Sequence, residues 1–531
     1  MNIVNRLRLY VLPLQIGLLI VFATVAVWAQ VPTATRAGTS PTPTPAASPK
    51  KSPTPVQTLD ELRAKIRNRM LSPEVARGRV GIKITSLSSG KIIFESDAEK
   101  YFIPASNMKN FTVAAALEKL GPDFRFVTSV FAAAKPDAAG IIKGNLRIFG
   151  RGDISISTAF NNGDYYKGID NLVDKITAAG VKRIEGDLIG DESYFKGFAV
   201  PYTWEWDDLQ WYDGAEVSAL PVNNNAVDLV VKPGTASGSP CVVTVLPQTP
   251  LMPVVNTCTT STTSQPRTLK VFKPLGRNTL EISGTMPSND RGFTGYIAVS
   301  HPAEMFMELL KARLALKNIS MTGKIRVEAK HAAPVSETME IATLESPPFS
   351  VIAAQTMKPS QNMFTETILW TLAEKIRRTS SAFSSEENAT LGKIVVRNFL
   401  DEIGIPRDAI LQYDGSGMSR HDQVTPSAIV TLYTYMAKQS KNAQVWRDSL
   451  TVGGVDGTLS RRFTGTSAAG NMRGKTGTLD QVSALSGYLT TAGGEQIVIS
   501  IIVNGVAETR ERTSLIDNIV VSLANFSGKL D

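Results

Sequence analysis

Only three histidines (His301, His331, His421) and two cysteines (Cys241, Cys258) occur in the 531 residues. That scarcity excludes a Cys/His zinc site, because no set of ligands falls at metal-binding spacing. It also limits any Ser-His-Asp mechanism to three candidate bases. An excess of one charge is missing too, despite a formal net charge of +8. Residues 1–56 hold five basic and no acidic side chains, which leaves 51 basic against 48 acidic from residue 57 onward. The bulk of the chain is therefore balanced and carries no basic footprint for nucleic acid. What is present, 43% apolar and 20% charged residues, suits a globular protein with a sizeable core. The length allows about two to four domains.

Arg6 and Arg8 precede an uncharged stretch from Leu9 to Ala29 that ends in Val27-Trp28-Ala29. A positive start, an apolar run and a small-residue site predict an export signal, cleaved after Ala29. The run of 21 residues is also long enough to be retained as a membrane anchor. Two basic residues ahead of it place the remainder across the membrane in either case. Residues 31–56 contain seven prolines and no aromatic residue, so they are expected to form an extended tether. Cys241 and Cys258 lie 17 residues apart. In an exported chain they either pair as a disulfide or stand as two buried thiols.

Three short motifs follow the tether. Residues 79–96 alternate apolar and polar on both sides of a Ser-Gly turn, which predicts a hairpin. Residues 103–121 then read as helical up to Gly121 and contain Ser106-Asn107-Met108-Lys109. Serine and lysine three apart share one helix face, and a helix N-terminus favours negative charge on a nearby oxygen. A serine nucleophile with a lysine base needs that geometry. Ser-x-x-Lys also occurs at Ser48–Lys51 and Ser88–Lys91, in the tether and in the hairpin turn, where no buried pair can form. The second motif, Ser360-Gln361-Asn362, falls on a break between two apolar helical stretches; alone it reads as an ordinary helix cap. The third, Lys475-Thr476-Gly477-Thr478, opens a late hairpin whose glycine permits close approach to the backbone.

Ser-x-x-Lys, Ser-x-Asn and Lys-Thr-Gly in this order resemble the signature of penicillin-binding proteins and serine β-lactamases. A narrower resemblance is to the D-alanyl-D-alanine carboxypeptidase/endopeptidases of low-molecular-mass class C. Ser106 and Ser360 are 254 residues apart, whereas Ser360 and Lys475 are 115 apart, so a large insertion separates the first two motifs. GDLIGDESYF (186–195), WEWDD (204–208), SALPVNNNAVDL (218–229), YDGSGMSRHD (413–422), GGVDGTLSRRF (453–463) and KTGTLDQVSALSGYL (475–489) carry the likeness along the chain.

The resemblance implies roles for particular residues. Ser106 is the nucleophile and Lys109 its base. Ser360 relays a proton to the leaving amine, and Asn362 holds Lys109 and the substrate amide. The backbone N–H groups of Ser106 and Thr478 form the oxyanion hole. Lys475, with Thr476, Gly477 and Thr478, binds the terminal carboxylate. Asp208 and Arg420 contact the amine and carboxylate of a diaminopimelate-type stem-peptide side chain; a structural ion pair is the other reading for both. Glu366 is read as a structural partner, and His421 as a surface residue. The implied partners are peptidoglycan stem peptides and β-lactams acting as covalent inhibitors. No metal or organic cofactor is implied, and the oligomeric state stays open.

The expected fold is α/β (α+β), a penicillin-binding-protein/β-lactamase-like domain with an antiparallel sheet and a helical cluster. In this division 1–29 is the signal or anchor and 30–56 the tether. Residues 57–110 and 346–531 form a split peptidase domain, interrupted by a strand-rich insertion over 111–345. Two other functions remain compatible with the motifs: a β-lactamase, which needs fast deacylation, and a non-catalytic penicillin- or wall-binding module.

Overall fold

The structure is a computed structural model and describes residues 58–329, 335–377, 379 and 381–529. The expected signal, the tether and His331 lie outside these residues. Among the described residues no helix is long and apolar enough to cross a membrane.

The predicted N-terminal hairpin is present, with Arg79–Ser86 pairing antiparallel to Ile92–Ser96. Arg79–Ser86 also pairs along its whole length with Gln496–Asn504, from Arg79 opposite Asn504 to Ser86 opposite Ile497. The sheet continues through Val482–Thr490, Arg473–Leu479 and the short Thr451–Val452, all antiparallel. Early and late segments of the chain thus share one six-stranded sheet.

Both faces of this sheet are covered, which explains the nearly unbroken apolar run in Gln496–Asn504. Successive side chains point to opposite faces. Ile497, Ile499, Ile501 and Val503 pack with Leu515, Ile516 and Ile519 of helix Thr509–Ala524 and with Leu62 and Ile66 of helix Leu59–Met70. Val498 and Ile502 enter a second core with Phe111 of helix Lys109–Lys119 and with Ile429 and Tyr433 of helix Pro426–Lys438. That second core also holds Phe349–Met357, Asn362–Leu372 and Asn388–Glu402. A Cβ on Gly392 would stand 2.1 Å from the Leu369 carbonyl oxygen, so two of these helices meet backbone to backbone there.

The helix after Ser106 runs through to Lys119, so the boundary expected at 110 falls inside it. Val127–Ala132 and Met339–Glu345 pair antiparallel, and the chain leaves and returns on these neighbouring strands. They form one side of a mixed five-stranded sheet with Leu146–Phe149, Leu188–Asp191 and Ile325–Glu328. The strand-rich reading of this region missed two helices, Lys167–Ala178 and Pro302–Leu316, which fill a separate apolar core with this sheet. Cys241 and Cys258 are joined as a disulfide beside the antiparallel trio Phe293–Ala298, Ala226–Lys232 and Val242–Leu246.

Candidate active site

Ser106 does not open an α-helix directly, as the sequence suggested. It sits in a 3-10 turn, Ala105–Met108, that leads into helix Lys109–Lys119. The turn is held in an unusual backbone shape, with Ala105 at φ 48°. Non-glycine residues rarely adopt this left-handed region, and such shapes persist only where the surroundings enforce them. A neighbouring loop packs directly on it: a Cβ on Gly417 would stand 1.9 Å from the Ala105 carbonyl oxygen.

Lys109 is fully buried, and its Nζ lies 2.9 Å from Ser106 Oγ. It also donates to Asn362 Oδ1 at 2.6 Å and to the Ser416 carbonyl at 2.7 Å. Both of these partners can only accept. In the neutral form of the amine these two acceptors take both N–H groups, which leaves the lone pair for the Ser106 hydroxyl. Burial brings the Lys109 pKa down to about 8, against the opposing pull of Asp414, Glu366, Asp213 and Asp422.

Ser360 lies between helices Phe349–Met357 and Asn362–Leu372, as expected, while Asn362 is the first residue of the second helix. Ser360 has φ 68°, a second strained non-glycine position at the site. The Lys475 amine donates to Ser360 Oγ at 2.8 Å and to the Thr476 carbonyl at 2.9 Å. Burial, then the neighbouring Lys109 charge, holds the Lys475 pKa well below its usual value. Asn362 completes the cluster by donating from Nδ2 to the Asp213 carbonyl at 3.0 Å. Ser106, Lys109, Asn362, Ser360 and Lys475 therefore occupy one neighbourhood, although they come from three distant parts of the chain.

Strand Arg473–Leu479 reaches Ser106 through its glycine. A Cβ on Gly477 would meet the Pro104 carbonyl oxygen at 2.6 Å and the Ser106 nitrogen at 3.1 Å. Asn107 ties the same two elements together: its Nδ2 donates to the Lys475 carbonyl at 3.2 Å, and its Oδ1 accepts from the Ser486 hydroxyl. The outer neighbour Thr451–Val452 pairs only with Arg473 and Gly474. Beyond them the strand edge is unpaired among the described residues, and Thr478 is exposed. Thr476 is buried and shares a hydroxyl contact of 2.7 Å with Thr458.

Three buried carboxylates under the 413–422 loop escaped sequence reasoning as a group. Glu366 accepts from the Gly415 and Ser416 backbone N–H groups. Asp414 accepts from the Gly417 and Ser419 N–H groups and from Trp204 Nε1 at 2.8 Å. Asp422 accepts from the Tyr413 and Asp414 N–H groups. Burial, then the Asp414 charge, raises the pKa of Glu366 and of Asp422. Their separation in sequence hides this arrangement. The Trp204 bond and a Thr203–Ser419 hydroxyl contact of 2.7 Å anchor the 204–208 segment to the loop.

Arg420 belongs to the same 413–422 loop. Its Nη1 donates to the Asp480 carbonyl at 3.1 Å, and its Nε stands 2.8 Å from Glu205 Oε1. The carboxylate set against Arg420 is thus that of Glu205, a residue the sequence did not single out. Asp208 lies on the same short turn, Trp206–Asp208. A Cβ on Gly214 would stand 2.7 Å from the Asp208 carbonyl, so this turn packs beside the residue following Asp213. His421 is exposed and packs against the Tyr413 ring.

A family model described as D-Ala-D-Ala carboxypeptidase 3 (S13) matches residues 62–526. The D-alanyl-D-alanine carboxypeptidase of Actinomadura sp. (strain R39) is 30% identical over 481 residues, covering 88% of this chain and 86% of that protein. The carboxypeptidase DacB of Haemophilus influenzae is 24% identical over 428 residues, with 80% and 85% covered. The crystal structure of penicillin binding protein 4 (dacB) from Haemophilus influenzae shares the fold, with a TM-score of 0.75 at 22% identity. That match covers 87% of this chain and 99% of the other. With the match spanning all three segments that build the serine–lysine cluster, the chain belongs to the D-Ala-D-Ala carboxypeptidase 3 (S13) family of serine-type hydrolases.

Proposed function

We propose that Ser106 is the nucleophile of this D,D-peptidase and that Lys109 is its base. Ser106 Oγ attacks the carbonyl carbon of the D-Ala–D-Ala bond while its proton passes to the Lys109 amine. The C–N bond breaks as Ser360, held by the Lys475 amine, passes its hydroxyl proton to the leaving amine and is reprotonated by the proton that Lys109 took from Ser106. Water then cleaves the acyl-enzyme ester by the reverse proton path. The oxyanion is held by the N–H groups of Ser106 and Thr478, where losing one donor typically costs about 100- to 1000-fold in rate. Lys475, Thr476 and Thr478 bind the terminal carboxylate. The observation that carries this reading is the Lys109 amine, whose two N–H groups are spent on the Asn362 and Ser416 carbonyls.

The leaving amine can be free D-alanine or the D-Ala–diaminopimelate cross-link, so one nucleophile serves carboxypeptidase and endopeptidase reactions. Arg420 and Asp208 face the charged stem side chain in this reading. Substrate of this kind lies outside the cytoplasm, which agrees with export by the 1–29 segment, either cleaved or retained as an anchor with 30–56 as tether. The division into a split peptidase domain and an insertion belongs to the same proposal. A penicillin binding protein 4 of this fold has been crystallised with a β-lactam, and acylation of Ser106 by such compounds follows from the mechanism. Slow release also follows: both Glu366 oxygens are committed to backbone N–H groups, so Glu366 is not free to activate a deacylating water. The test is to incubate purified protein and its Ser106→Ala variant with pentapeptides and cross-linked muropeptides and weigh the products. D-alanine release or cross-link loss with the parent alone supports the reading; equal products from both overturn it.

A further inference from the structure

A cavity of about 110 Å³ borders Gly214, the residue after Asp213, and none of the three motifs lines it. Leu209, Leu275 and Val299 give it an apolar side; Lys273, Glu216 and Ser300 give it a polar one. Leu275 is exposed and Val299 is buried, so the cavity runs inward from the surface. Pockets for drug-sized ligands hold about 300–1,000 Å³. This one is too small for a stem peptide and suits a molecule of a few non-hydrogen atoms.

Its charges are only partly answered within the chain. Lys273 is 3% exposed, and its amine donates to the Arg277 carbonyl and to Ser300 Oγ, both at 3.1 Å. Both acceptors are neutral. An ammonium has three N–H donors, and the third meets no acceptor among the described residues. None of their carboxylates lies within ion-pair distance of it, although a buried charge is normally paired. Burial lowers the Lys273 pKa, and the charge of nearby Glu216 opposes that fall. Glu216 Oε2 accepts from the His301 N–H at 2.9 Å, which leaves Oε1 without a hydrogen bond among the described residues. Ser300 is fixed from both sides, its N–H donating to Asn278 Oδ1 at 2.7 Å and its carbonyl accepting from Asn278 Nδ2 at 2.8 Å. One cavity thus presents a buried ammonium and a separate carboxylate oxygen beside an apolar wall. A molecule with both charges and a short apolar group complements all three.

We propose that this cavity binds a small zwitterionic α-amino acid, its carboxylate on Lys273 and Ser300 and its ammonium on Glu216. D-alanine, which the reaction proposed above releases, has this chemistry, and L-alanine shares it. The site is separate from the serine–lysine cluster, and its binding step needs no turnover.

The test is a saturation-transfer NMR titration of the purified protein with D-alanine, L-alanine and acetate. The parent should bind alanine more tightly than acetate. Lys273→Met, which keeps most of the side-chain volume, should weaken alanine at least about tenfold. Glu216→Gln, which keeps an acceptor for the His301 N–H, should weaken alanine roughly three- to tenfold and leave acetate as tight or tighter. Unchanged far-UV circular dichroism reports that each variant is folded, and either variant alone suffices for the test. A preference for D-alanine makes the released product the ligand, and equal binding of L-alanine makes it any small amino acid; both uphold the site. No binding to the parent, acetate binding as tightly as alanine, or alanine affinity unchanged in a folded variant overturns it. Because no catalysis is measured, such a failure leaves the proposed peptidase reaction standing.

Discussion

At Gly477 a single added carbon would stand 2.6 Å from the Pro104 carbonyl oxygen and 3.1 Å from the Ser106 nitrogen. Neither neighbour is a side chain that can swing aside, so strand and nucleophile turn must separate. Gly477→Ala is expected to retain its far-UV circular dichroism but to lose about 100-fold in β-lactam acylation rate, the scale of a misplacement near 1 Å. Lys109 supplies a second residue-scale expectation. Its protonated form has no lone pair for the Ser106 proton, and burial sets its pKa at about 8. Acylation should therefore rise about tenfold per pH unit up to that value and level off above it, as read by stopped-flow with a chromogenic cephalosporin. A limb that climbs without a break to pH 10 would contradict this. At this scale the sequence was legible for Ser106, Lys109, Ser360, Asn362 and Lys475, since each belongs to a short motif. It was silent on Glu205, because a lone glutamate has no signature until its partner, 215 residues on, is known.

Among elements, the 413–422 loop depends on carboxylates beneath it. Glu366 projects from helix Asn362–Leu372 and satisfies the N–H groups of Gly415 and Ser416, and the Ser416 carbonyl in turn touches Lys109. Glu366→Ala leaves those donors buried without a partner, at a cost of about 1–3 kcal/mol. The expected result is a lower Tm together with slower acylation, whereas an unchanged acylation rate would separate the loop from the base. The late hairpin and the final helix were legible because their apolar patterns are long. Helix Lys167–Ala178 was missed although Ile169, Leu172, Val173 and Ile176 recur at helical spacing; the neighbouring short strands drew the region towards a β reading. The 3-10 turn at Ser106 was not legible, since Ala105 takes a left-handed backbone where it packs against Gly417, more than 300 residues away.

For the whole molecule, two features organise the chain: a sheet that joins Arg79–Ser86 to Gln496–Asn504, and a separate apolar core built between Val127 and Glu345. The separate core suggests that damage there should leave the site intact. Buried Arg147 stands against Asp191, Glu328 and Glu337. Arg147→Ala strands buried acids, which typically costs about 3–5 kcal/mol. Tm should drop by several degrees while the acylation rate of the folded fraction stays near that of the parent; a matched loss of acylation would show that the two cores act as one. The gap between the first two motifs predicted a large insertion, whereas the pairing of Val127–Ala132 with Met339–Glu345 could be read only from the structure.

The most direct measurement is to map the covalent adduct. Purified protein is incubated with benzylpenicillin, digested, and sequenced by mass spectrometry. One penicilloyl group on the peptide containing Ser106, absent from the Ser106→Ala variant and strongly diminished in Lys109→Met, is the expected result. An adduct on another serine, or undiminished labelling after loss of Ser106, would contradict the assignment of the nucleophile.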